Sequence, residues 1–520
     1  MSAAPNGTST IDVGPCPLTI ADVVAVARDG AVVHLTGEAL AAVAASRQVV
    51  EELADAERPV YGVSTGFGAL ATRHIAPADR ERLQRSLVRS HAAGTGPLVE
   101  REVVRAMILL RLHTLATGRT GVRVATAEAY AGLLNARITP LVNEYGSLGC
   151  SGDLAPLAAV ALAACGEGEV LDGDGVRRGA AEALAAAGLE PLTLGAKEGL
   201  ALINGTDGML GMLALALHDL RLLLRTADIA AAISVEALLG TDRPFAADLM
   251  ALRPHPGQAA SAANLRALLS SSGIMESHRT PDCTRVQDAY SLRCAPQVHG
   301  AARDTLAHAE AVAAAEFAAA IDNPVVTPDG RVESNGNFHG APVGYVLDFL
   351  AIAVADVASM SERRTDRFLD RARSHGLEPF LAHDPGVDSG LMIAQYTAAG
   401  LVSDLKRLAV PASVDSIPSS AMQEDHVSMG WHAGRKLRRA VEGLAAVLAI
   451  ELIAGTRALD LRAPLAPAPA TDAVRRALRE GGVGGPGPDR HLAPEIEAAT
   501  AQVRSGAVLA AAESATGPLQ

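Results

Sequence analysis

The densest concentration of reactive residue types in this chain is Gly149-Cys150-Ser151-Gly152-Asp153. A serine between glycines, just ahead of an apolar stretch, could be a nucleophile on a strand-to-helix turn. The spacing rejects that chemistry, because the nucleophile elbow is Gly-x-Ser-x-Gly and position 153 is Asp. Taken alone, the segment reads instead as a glycine-rich cap in which Ser151 or Asp153 closes the next helix. His299, His339 and His426 stand apart from any His, Asp or Glu cluster with ligand spacing, so no essential metal is expected.

The surroundings change the reading. Ser151-Gly152-Asp153-Leu154-Ala155-Pro156-Leu157 closely resembles the motif of the MIO-dependent aromatic amino acid ammonia-lyases. Further segments resemble that family's in the same order: Tyr61-Gly62-Val63-Ser64-Thr65-Gly66-Phe67-Gly68, Asn204-Gly205-Thr206, and Gln287-Asp288-Ala289-Tyr290-Ser291-Leu292-Arg293. Asp322-Asn323-Pro324, Gly336-Asn337-Phe338 and Gln423-Glu424-Asp425-His426-Val427-Ser428 complete the set.

The resemblance implies that Cys150-Ser151-Gly152 cyclises into 4-methylidene-imidazol-5-one (MIO), with no external cofactor. The Gly152 nitrogen attacks the Cys150 carbonyl, two waters leave, and the serine becomes a methylidene. The residue types suit this. Ser151 supplies the leaving hydroxyl, and Gly152 lacks the Cβ that would obstruct a strained turn. Relatives mostly have Ala where this chain has Cys150. The side chain stays outside the ring, so cysteine is chemically tolerable, although it leaves room for a thiol side reaction. Ala159, where many relatives carry His, is a second departure.

Removing ammonia from an α-amino acid needs a base for a weakly acidic β-proton and an electrophile that makes the amine leave. By resemblance the electrophile is the methylidene of residue 151. The base is Tyr61, on a loop that closes over the site. Tyrosine titrates near ~10 unperturbed, so Tyr61 would need a positive potential to serve. Tyr290 and Asn204 are expected to hold the amine, the carboxylate or the MIO carbonyl, and Gln287 to bind the substrate. Phe338 lines the substrate, and the Arg293 fork suits the substrate carboxylate.

Two positions bear on which amino acid is used. Ser90-His91 looks like the histidine-lyase pair, where relatives acting on phenylalanine or tyrosine tend to have Phe-Leu or His-Leu. His91 could hydrogen-bond an imidazole, whereas Leu could only pack against a ring. Glu424 is the acidic residue of histidine lyases, and a carboxylate facing an imidazole orients it and can share a proton. L-Histidine deaminated to trans-urocanate, the first step of histidine degradation, is therefore the expected reaction. Another MIO-dependent lyase or aminomutase, or a non-enzymatic helical paralogue, are the alternatives.

These residues need elements to hold them. Ala31–Leu35 reads as a strand, and Glu38–Ala56, Asp79–Ala93 and Glu100–Ala116 as helices. The three glycines of Tyr145–Asp153 predict a tight loop running into a helix near Leu154, with Pro156 in its first turn. Gly199–Gly240 is apolar almost without relief, which predicts a fully buried helix. Ala301–Ile321, Gly344–Leu369, Ser389–Val410 and Met429–Ala458 follow the same pattern. The fold class expected is mainly α, a long central helix bundle of the ammonia-lyase/fumarase-like type with a smaller mixed N-terminal region. The organisation expected is 1–200 for that mixed region, with the Tyr61 lid loop and the MIO tripeptide, then 201–462 for the bundle. Residues 463–520 form a Pro/Gly-rich turn with short helices, including Thr471–Arg479, and the end from Ser514 is expected to be loose.

The bulk composition agrees. A naive count would divide 520 residues into roughly three or four domains. With 49% apolar but only 3% aromatic residues, closely packed Ala/Leu helices are favoured over sheets. A net charge of −13 argues against nucleic acid or an anionic membrane as partner. Five scattered cysteines without Cys-x-x-Cys spacing suit a reducing, cytoplasmic setting. No signal peptide or membrane span is expected. The resemblance implies a homotetramer whose active sites draw on more than one subunit.

Overall fold

The computed structural model describes residues 9–54, 65, 75–281, 283 and 286–520. Helices dominate, and four are long: Asp207–Ala237, Ala295–Phe317, Ala341–Leu369 and Gly430–Leu461. The mainly α expectation holds. The Ala341–Leu369 helix is long and apolar enough to cross a bilayer, but most of its apolar window is buried inside the protein.

The chain forms two compact units. One comprises Met1–His218, Glu310–Asp348 and Pro411–Arg435, and the other Asp219–Ala309, Phe349–Val410 and Lys436–Gln520. The first unit holds the small sheets. Thr10–Val13 pairs in parallel with Val32–Leu35, so the strand read at Ala31–Leu35 is real. Thr139–Pro140, Glu169–Leu171 and Arg177–Gly179 make a three-stranded antiparallel sheet. Alternation over two or three residues is too short to announce such strands in the sequence.

Helices Gly37–Ala54, Arg80–His91, Arg101–Ala116 and Leu154–Ala164 lie where the pattern places them. Gly199–Gly240 is not one helix. A short turn, Glu198–Ala201, precedes a break, and the long helix starts at Asp207. The cause is local: Asn204-Gly205 is turn chemistry, and the Gly205 carbonyl accepts the Asp153 N–H at 2.7 Å.

In the second unit, buried charge ties the long helices together. Glu451, fully buried, accepts from Arg364 at 2.5 and 2.9 Å, from Ser234 at 2.6 Å and from Ser361 at 2.6 Å. Three helices are thereby stitched at one carboxylate. A second buried carboxylate, Asp228, takes Ser261, Asn264, His299 and Arg303. The chain end is not loose as expected. The Ala507–Thr516 helix continues past Ser514, Leu519 is buried, and the Asn264 amide brackets Gln520 at 2.9 and 3.0 Å.

Candidate functional site

The tripeptide sits in the first unit on a turn whose shape follows from its glycines. Gly149 and Gly152 have φ of +66° and +82°, a region in which a side chain is strained. At Gly152 space decides as well, because an added Cβ would run into the Gly205 backbone. Gly205 in turn lies against Asp207 and Arg111, and Gly208 against Trp431.

Neighbouring segments clamp the turn. The Gly149 carbonyl accepts from the Ser428 hydroxyl at 2.5 Å and the Gly340 N–H at 3.0 Å. The Met429 N–H donates to the Leu148 carbonyl, and Cys150 packs with Val427 and Met429.

Asp153 acts at longer range than the cap read from sequence. Its side chain gives the following helix no cap. One oxygen accepts from Ser147 at 2.8 Å, and the other accepts from the N–H groups of Gly208 and Met209 at 2.9 and 3.0 Å. It thus closes the start of the Asp207–Ala237 helix, where positive potential gathers. Burial pushes its carboxyl up to about 7, against the pull of those three donors.

Glu424 reaches the tripeptide. The Ser151 hydroxyl donates to it at 2.9 Å, the Cys150 thiol at 3.4 Å and the Ser419 hydroxyl at 2.8 Å. A two-way backbone bridge between Ser419 and Glu424 fixes the approach. The intervening Ser420, Ala421 and Met422 all lie in the left-handed region. Such strain, of order 1–3 kcal/mol per residue, survives only where the surroundings enforce it. Burial first, and Glu424 next, push the Cys150 thiol up to about 12, so it stays protonated near neutrality.

Asn204 is buried beside this turn. Its amide donates to the Asn323 carbonyl at 2.9 Å, while its own oxygen is buried with no partner among the described residues. The Lys197–Asp322 pair, fully buried at 2.5 Å, fixes the preceding residue of that carbonyl's segment. Phe338 is half-buried on the turn leading to Gly340. His91 is half-buried at its helix end, with Nδ1 against the Leu87 carbonyl at 2.9 Å and Ser90 at 3.1 Å. That leaves Nε2 as the ring nitrogen with no partner among the described residues.

Gln287, Tyr290 and Arg293 form a separate group in the second unit. Arg293 donates to the Gln287 amide oxygen at 2.5 Å, and its guanidinium lies 4.8 Å from the Tyr290 ring centre. The Arg364 of the Glu451 network donates to the Ser291 carbonyl, fixing this segment. Tyr290 is 71% exposed. Tyr61 and Phe67 lie outside the described residues.

Sequence reasoning did not find Ser419, Ser147 or the long reach of Asp153, and it reached Ser428 only as the last residue of a matching motif with no role assigned. Only the position of Ser419, five residues before Glu424, hints at a pairing.

Comparison places this architecture. The aromatic amino acid lyase family model matches residues 18–480. Histidine ammonia-lyase of Streptomyces coelicolor is 67% identical, covering 98% of this chain and 100% of the relative. Tyrosine aminomutase from Streptomyces globisporus has a TM-score of 0.92 at 38% identity, covering 98% of this chain and 100% of the other. Histidine ammonia-lyase from Trypanosoma cruzi has a TM-score of 0.89 at 37% identity, covering 98% and 95%. With the match extending over nearly the whole chain and the tripeptide turn intact, this protein belongs to the aromatic amino acid lyase family.

Proposed function

We propose that the chain removes ammonia from L-histidine without oxidation, giving trans-urocanate, as its relatives' names suggest. The observation carrying this reading is the Glu424 carboxylate hydrogen-bonded to Ser151, a polar partner for an imidazole at the point where chemistry would occur. A benzene ring there would offer that carboxylate no hydrogen bond.

Cys150, Ser151 and Gly152 fit formation of MIO. The turn is already bent by two left-handed glycines, and Gly152 has no room for a side chain. A 4-methylidene-imidazol-5-one at residue 151 supplies the electrophile that makes the amino group a leaving group. The remaining work falls to the chain's own side chains. Tyr61 takes the β-proton. Glu424 and His91 orient the imidazole from two sides, Asn204 offers its side-chain oxygen to an N–H donor, and Phe338 packs against the substrate. Arg293, held by Gln287 and stacked on Tyr290, binds the carboxylate bidentately. We further propose a homotetramer in which the Gln287–Arg293 segment of one subunit completes the Ser151 site of another, in the cytoplasm, where the five free thiols stay reduced.

The test is deamination of L-histidine followed by urocanate absorbance, with L-phenylalanine and L-tyrosine in parallel and Ser151→Ala as control. Activity on histidine alone, lost in Ser151→Ala, is expected together with an intact mass two waters below the sequence. Preference for another amino acid would remove His91 and Glu424 from substrate recognition.

A further inference from the structure

A cleft of about 460 Å³ opens in the first unit, its lining including Arg28, Asp29, Glu100, Arg101, Arg105 and Arg137. None of these residues takes part in the chemistry above. Four are arginines, in a chain whose net charge is −13.

The charges do not cancel locally. Arg28 is neutralised by Glu102, at 2.6 and 3.2 Å, and Glu100 is taken by Arg435. Arg105 is buried and spends its nitrogens on the Val26 and Leu134 carbonyls, which satisfy hydrogen bonds without removing charge. Arg101 donates to the Arg137 carbonyl, and neither Arg101 nor Arg137 has an acidic partner among the described residues. Among the described lining residues, only Asp29 is left to face these three cations once those pairs are counted. The crowding has a cost: burial, then the neighbouring Arg101 and Arg137, pull Arg105 down to about 10.

Two backbone features point the same way. Arg137 has φ +56°, a left-handed position where Gly or Asn is the default and another residue is strained. That conformation lays its guanidinium over Gly30, where an added Cβ would stand 3.3 Å from Nη2. The wall beside it is the first turn of the Arg101–Ala116 helix, which has no side-chain cap and adds the positive end of its dipole.

We propose that this cleft is a binding site for a small phosphate-bearing anion, gripped by Arg101 and Arg137 against the fixed charge of Arg105. Its volume suits a ligand from pyrophosphate to a mononucleotide, and arginine forks match phosphate oxygens in pairs.

The test is isothermal titration of the full-length protein, in buffer free of phosphate, with inorganic phosphate, pyrophosphate and AMP. Saturable binding of at least one is expected, weakened at least tenfold in Arg101→Ala and in Arg137→Ala. Arg137→Lys, which keeps the charge but not the fork, should fall between. Histidine deamination by each variant checks that the fold is intact, since neither residue belongs to the catalytic machinery. AMP binding more tightly than pyrophosphate would name a nucleotide as the ligand type, and the reverse ranking an inorganic one; both uphold the site. Absence of binding by all three, or binding unchanged in both alanine variants, overturns it.

Discussion

At the scale of single residues, one carboxylate ties the tripeptide to its surroundings. Glu424 gathers hydrogen bonds from Ser151, Cys150 and Ser419. Glu424→Gln keeps the shape and removes the charge. It should lower kcat/KM for histidine at least about tenfold, or about 1.4 kcal/mol in the transition state. Steady-state kinetics measure this, and an unchanged value would take Glu424 out of the reaction. Ser419→Ala removes one hydrogen bond, about 1 kcal/mol, so kcat should fall roughly fivefold and recover in Ser419→Thr. Cys150 gives a chemical readout. Its thiol, held up near about 12 by burial and then by Glu424, stays protonated at pH 8. Iodoacetamide should therefore label the exposed Cys16 and spare Cys150, as peptide mass mapping would show.

At the scale of elements, Gly152 is the hinge of the tripeptide turn. Gly152→Ala combines a left-handed backbone with a collision against Gly205. The mass of that variant should retain the two waters that the parent loses. In the second unit, Asp228 joins three segments, and its carboxyl titrates near about 2. Burial opposes that shift, while Arg303, His299 and Ser261 outweigh it. The folded value lies below the unfolded 3.8, so the stabilisation is whole above 3.8 and is lost as pH falls toward about 2. Asp228→Asn should lower the thermal midpoint at pH 7, with a cost of about 3–5 kcal/mol. The gap to the parent should narrow between pH 4 and 2 in melts followed by circular dichroism. The long helices were legible because their apolar pattern runs for many turns. The Ser151 and Glu424 positions were legible because residue types around them are constrained over several neighbours. The Asp153 cap and the Glu451 network were not. They join residues separated by tens to hundreds of positions, and no local pattern encodes which distant group a lone Asp or Glu will meet.

At the scale of the whole molecule, Ser151 and Arg293 belong to different compact units. If sites are shared between subunits, Ser151→Ala and Arg293→Ala proteins, each inactive alone, should regain activity when unfolded together and refolded as a mixture. Sedimentation should report a tetramer for the parent. Mixtures as inactive as their parts would instead confine each site to a single subunit. The close match to an aminomutase shows that one scaffold carries more than one outcome. The seam of Gly152, Gly205 and Gly208 bears on how such a scaffold can be retargeted. Gly152 is filled by the Gly205 backbone and Gly208 by the buried Trp431, so a substitution at either has no tolerable first step, while Gly205 faces the side-chain ends of Asp207 and Arg111. A library that randomises the whole loop would consist mostly of dead clones. One that spares the seam and varies Ser90, His91 and Glu424 would keep the electrophile while searching for a new substrate.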